Sequence, residues 1–64
     1  MYIKRYKNKI VLHKICGMWI EDILTYRFKD SIDIFLNKVN IITNVKIKKD
    51  DVLNLGINGT LKLI

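Results

Sequence analysis

The sequence predicts a small α+β domain: a small antiparallel sheet with one amphipathic helix, in the order β-β-β-α-β-β-β. Three observations carry this. Two β-rich arms, residues 2–6 and 10–16, flank a polar Lys7-Asn8-Lys9 segment. Ile32, Phe35, Leu36 and Val39 recur at i, i+3, i+4 and i+7, the stripe of a core-facing helix. Asn58-Gly59 stands between apolar arms and is the strongest short hairpin signal in the chain.

The first hairpin turns within Lys7-Asn8-Lys9, where Asn tolerates left-handed backbone. Sequence does not fix its register. With Lys7-Asn8 as the turn pair, Ile3, Ile10 and Leu12 share one face. Tyr2, Lys4, Tyr6, Lys9 and His13 then share the other, with Val11 among them. A shift of one residue scrambles this sorting, because side chains alternate with period two. Gly17 marks a bulge or bend.

Residues 19–28 fit two patterns. Ile20, Leu24, Tyr26 and Phe28 alternate as on a strand, with Asp22 the exception. Ile20, Leu24, Phe28, Ile32, Phe35 and Val39 also fit a helical stripe, so the alternative is one long helix over 19–40 packed on two hairpins. The strand is favoured, because Thr25-Tyr26-Arg27-Phe28 is β-rich and Asp30 or Ser31 can cap a helix start. The helix then covers 31–40, with Asp33 in the first turn, Lys38 near the end and Asn40 as the stop.

The remainder reads as a meander. Strand 43–49 turns at Asp50-Asp51 into strand 52–57, which turns at Asn58-Gly59 into strand 60–64. Val45, Ile47, Val52, Leu61 and Leu63 would share one face. Leu53, Leu55, Ile57 and Ile64 would share the other, beside Lys46, Lys48 and Lys62. The last strand would lie outermost, guarded by little besides Lys62.

Length bounds the rest. Sixty-four residues make one domain, residues 1–64. A chain of this size buries only about 60% of its unfolded surface. A single Cys leaves no internal disulfide and no four-ligand zinc site, so dense apolar packing must carry the fold. Half the residues are hydrophobic, more than so small an interior hides, so some apolar surface is expected to meet a partner or a second copy in a homodimer. The lone Cys16 and an N-terminal apolar stretch broken by His13 and Lys14 predict a reducing, cytoplasmic setting. The longest uncharged apolar run, residues 15–20, is too short to span a bilayer, and no membrane partner is expected.

The net charge is +6, but its origin needs care. Twenty-eight residues are Ile, Lys or Asn, and Ala, Pro and Gln are absent. AT-rich codons encode that composition, so an AT-rich genome accounts for part of the charge without a selected surface. Placement is the better argument. Residues 1–16 carry Lys4, Arg5, Lys7, Lys9 and Lys14 and no acid. Residues 38–49 carry Lys38, Lys46, Lys48 and Lys49 and no acid, while 17–37 are net negative.

No enzyme is expected. His13 and Cys16 are the one pair that suggests nucleophilic catalysis, and their odd spacing points them to opposite faces of a strand. Glu21-Asp22 and Asp50-Asp51 are scattered acids, the latter ordinary turn chemistry, and they imply no metal and no cofactor. Gly56-Ile57-Asn58-Gly59 has the spacing of the KH-domain glycine loop, but that loop joins two helices and this one lies in a predicted hairpin. Asn58-Gly59-Thr60 has the form of a glycosylation sequon, which in a chain read as cytoplasmic marks only a turn.

The basic-aromatic hairpin is the constellation with the most content. Tyr2, Lys4, Tyr6, Lys9 and His13 form a candidate platform for nucleic acid or a ribonucleoprotein, with Arg5 and Lys7 at its edge or on the other face and Lys46 and Lys48 adding charge. With only two Arg, sequence-specific base reading is not expected. The rival expectation is a phage- or virus-type accessory protein that inhibits or adapts a host complex by docking on an acidic protein surface. Trp19, Leu53, Leu55 and Ile57 would be its anchors, although core filling is the commoner role of a Trp.

Overall fold

The computed structural model describes every residue, Met1–Ile64. Six elements follow in order: β1 (Tyr2–Arg5), β2 (Lys9–Cys16), β3 (Trp19–Arg27), α1 (Ile32–Thr43), α2 (Lys49–Leu53) and β4 (Thr60–Lys62). The strands form one antiparallel sheet in the order β3-β2-β1-β4. The α+β class holds, and residues 19–27 are a strand rather than the start of a long helix.

The first hairpin adopts the register that sorts its residues best. Arg5 pairs with Ile10, and the Tyr6 N–H donates to the Lys9 carbonyl at 2.8 Å, leaving Lys7-Asn8 as the turn pair. The second hairpin turns at Gly17-Met18. Gly17 has φ +62° and Met18 does not have positive φ, the pattern of a II′ turn. Between Leu12 and His13 the pairing slips. Leu12 opposes Leu24, but His13 opposes Asp22, so Ile23 is an extra residue and forms a bulge. This explains why Asp22 broke the alternation of residues 20–28. The bulge turns Ile20 and Asp22 to the face opposite Leu24 and Tyr26.

α1 packs its predicted stripe against the face that carries Leu24 and Tyr26. Ile3, Ile10, Leu12 and Tyr26 from the sheet meet Ile32, Phe35, Leu36 and Val39 from the helix, joined by Ile47 and Val52. The helix starts at Ser31 as expected, although no side chain caps it. It runs past Asn40 to Thr43 and stops at Asn44, which takes the left-handed conformation at φ +56°. Asn40 instead braces the chain beyond the helix. Its Oδ1 accepts the Ile47 N–H at 3.0 Å and ties that segment back to α1.

The C-terminal meander does not form. Residues 44–48 are an irregular connection, and α2 stands where the turn and second strand were expected. The physical reason is the number of apolar faces. Two more strands would expose a second apolar surface with no helix to cover it. The connection and α2 instead turn Ile47 and Val52 into the existing core. Asp50-Asp51 opens a helix, where acids complement the dipole, and the Asp51 carboxylate accepts the Lys48 N–H at 3.2 Å. The Asn58-Gly59 turn is present without a preceding strand: the Gly59 N–H donates to the Gly56 carbonyl at 2.8 Å, and Asn58 has φ +66°. A Cβ at Gly59 would lie 2.8 Å from the Gly56 oxygen, so only glycine fits. β4 then pairs with β1, Ile3 opposite Leu61. No helix is long and apolar enough to cross a membrane.

Candidate nucleic-acid interface

Helices cover one face of the sheet and leave the other open. On the open face the register sets side chains in rows across the strands. Arg27, Lys9 and Tyr6 form the first row, and Thr25, Val11, Lys4 and Thr60 the second. Asp22, His13, Tyr2 and Lys62 form the third, and Ile20 and Ile15 the fourth. Three cations therefore lie on one diagonal, Lys9, then Lys4, then Lys62, and Arg27 stands beside Lys9 in the first row. With strands about 4.8 Å apart and rows about 6.8 Å apart, the steps from Lys9 to Lys4 to Lys62 are each about 8 Å. Asp22 is the one acid in these rows, and it lies at a corner off the diagonal.

Beneath the cations lies a polar centre. The Tyr6 hydroxyl and His13 Nε2 are 2.7 Å apart, and Asp22 Oδ1 is 2.9 Å from His13 Nδ1. The carboxylate lies off the ring N–H direction, so the second contact is an ion-pair distance without a well-directed hydrogen bond. His13 is only 5% exposed. Tyr6 reaches from its place opposite Lys9 to His13, and Val11 lies between, so the ring roofs Val11. That accounts for an apolar residue 1% exposed on a face with no helix. Lys4 and Lys9 hold their ammonium groups 5.1 and 5.3 Å from the centre of the Tyr6 ring. The Tyr2 ring rests on His13 with centroids 5.2 Å apart.

Desolvation pushes the Tyr6 phenol above its ordinary value, and Tyr2 and Asp22 push it further. The phenol is held protonated and is no ready nucleophile. Cys16 is on the opposite face from His13. Its thiol donates to Glu21 Oε2 at 3.3 Å and is also pushed up, first by desolvation and then by that carboxylate. No three His, Cys, Asp or Glu side chains gather closely enough to hold a metal.

The remaining expected residues scatter. Lys7 is exposed on the turn beyond the first row. Arg5 points to the helical side, where Nη1 donates to the Leu55 carbonyl at 3.1 Å and the guanidinium stacks 5.0 Å from the Phe28 ring. Its buried Nε has no partner, so Arg5 is a tie to the C-terminal loop rather than a surface cation. Lys46 and Lys48 flank Ile47 in the helical layer and do not join the diagonal, because the strand expected to carry them is absent. The same absence breaks up the Leu53, Leu55 and Ile57 face. Leu53 ends α2, Leu55 packs against the core, and Ile57 is exposed in the last turn. Trp19 does not fill the core: it is 67% exposed at the tip of the second hairpin, beside fully exposed Met18.

Arg27, Lys62 and Asp22 belong to the open face but were not among the expected site residues. Only the cross-strand register brings them there, and that register is set by a turn, a bulge and a distant C-terminal strand. No protein-family model, curated protein or solved structure matches this chain.

Proposed function

We propose that this chain is a small non-catalytic module that binds nucleic acid, free or within a ribonucleoprotein, by its phosphate backbone. The supporting observation is the diagonal of Lys9, Lys4 and Lys62, with Arg27 beside Lys9, on the one sheet face that no helix covers. Bias towards Lys in the coding sequence raises the number of cations but does not align them. Each cation that neutralises a phosphate releases a counterion, so four contacts predict a slope of log affinity against log salt of about −3. Titration of DNA and RNA oligonucleotides at two salt concentrations tests this. The double variant Lys4→Glu, Lys9→Glu should weaken binding by about 100-fold at low salt, and an affinity indifferent to those reversals would sink the proposal.

A second reading has its own observation. The tip of the second hairpin presents Met18 and Trp19 to solvent, and exposed Trp is a common anchor of protein interfaces. In that reading the chain is an accessory protein that inhibits or adapts a larger host complex. Its partner would be retained at moderate salt and lost on Trp19→Asp.

A further inference from the structure

We propose, building on the phosphate-binding reading, that the open face holds an unpaired nucleobase, so that its substrate class is single-stranded nucleic acid rather than duplex. The site is a groove of about 460 Å³ at the Lys4–Lys62 end of the diagonal. Its lining includes Tyr2, Lys4, Ile15, Thr60, Lys62 and Ile64.

Its chemistry is that of a nucleotide. Lys4 and Lys62 line the groove, and no Asp or Glu side chain does. The floor is apolar: Ile15 is 63% and Ile64 65% exposed, side chains that gain by being covered with a flat ring. Tyr2 supplies an aromatic wall. Its ring is backed by His13, which is buried and bonded to the Tyr6 hydroxyl, so the wall is set before a ligand arrives. The Thr60 hydroxyl offers a donor and acceptor to a base edge. Tyr6 cannot take this role, because its hydroxyl is engaged and Lys4 and Lys9 flank its ring.

A duplex would leave this equipment idle. Its bases are stacked inside, and its phosphates could reach the cations while the apolar floor stayed uncovered. A single strand can lay successive phosphates at Lys4 and Lys62 and turn the intervening base into the groove against Tyr2. A second copy of this +6 chain would instead bring further cations against Lys4 and Lys62.

The experiment is a fluorescence-anisotropy titration of the intact chain at one salt concentration against three probes. They are an oligothymidylate of ten residues, a duplex of equal length, and an abasic deoxyribose-phosphate oligomer. The expected result is single-strand binding on the order of tenfold tighter than either other probe, the scale of one base–aromatic stack. Tyr2→Ala and the surface change Ile15→Ser should each bring the single-strand affinity down to that which the same variant shows for the abasic oligomer. Lys4→Glu should weaken all three. Equal affinity for the single strand and the abasic oligomer, or for the single strand and the duplex, overturns the base site and leaves the phosphate reading standing. No binding of any probe overturns both.

Discussion

The two faces of the sheet bury residues by different means. On the covered face, Ile3, Ile10, Leu12 and Tyr26 lie under α1, and apolar contact keeps water out. On the open face, His13 and Val11 are as well buried, yet what covers them is a tyrosine flanked by two lysines. The covered face follows from alternation along each strand. The open face follows from which residues stand opposite each other across strands. A sheet can therefore display charge above a buried polar layer, and two of the cations there, Lys4 and Lys9, lie against a ring.

The largest test of this contrast compares two isoleucines of β2 on opposite faces. Ile10→Ala should cost about 3 kcal/mol, a large share of what so small a domain possesses. Ile15→Ala on the open face should change stability by less than about 0.5 kcal/mol. Chemical denaturation of both variants measures the difference, and equal losses would mean that the open face is covered in solution. Next in size, Lys4→Glu with Lys9→Glu should lower nucleic-acid affinity by about 100-fold at low salt while the far-ultraviolet circular dichroism stays unchanged. A lost spectrum would show that those lysines support the fold rather than a ligand.

His13→Ala should cost about 2 kcal/mol, because it opens space beneath the roof and unpairs Tyr6. A loss near zero in a melting curve would contradict the idea of a rigid polar layer. The smallest effect belongs to Tyr6→Phe, which removes one hydrogen bond and should cost about 1 kcal/mol at neutral pH. It also has a pH signature. The Tyr6 phenol is raised in the fold, so the folded state keeps its proton longer than the unfolded chain does. The stability this gives is complete below the ordinary phenol pKa of about 10 and is lost as pH rises through the higher folded value. The gap between wild type and Tyr6→Phe should therefore narrow above pH 10, and a constant gap would contradict the desolvation of the phenol in the fold.

Much of the covered face could be read from the sequence. Ile32, Phe35, Leu36 and Val39 are spaced for one helical stripe, and Lys7-Asn8 as turn pair sorts Ile3, Ile10 and Leu12 together. The same turn pair places Tyr2, Lys4, Tyr6, Lys9 and His13 together. The rest of the open face was not readable, because Arg27 joins it through β3 and Lys62 through β4, whose partner is the far end of the chain. Residues 43–57 misled for a different reason. Val45, Ile47 and Val52 suit a strand by period and branching, but tertiary packing overrode that preference. Asp50-Asp51 serves a turn and a helix start equally well.

The bulge at Ile23 has a consequence beyond placing Asp22 beside His13. β3 is nine residues long and borders the sheet with no neighbour on its outer side, and such strands are templates on which further chains can polymerise. An extra residue near the middle interrupts the regular row of outward N–H and carbonyl groups, so an incoming strand cannot zip along the whole length. The irregularity that assembles the polar centre also makes the protein a poor seed for fibres.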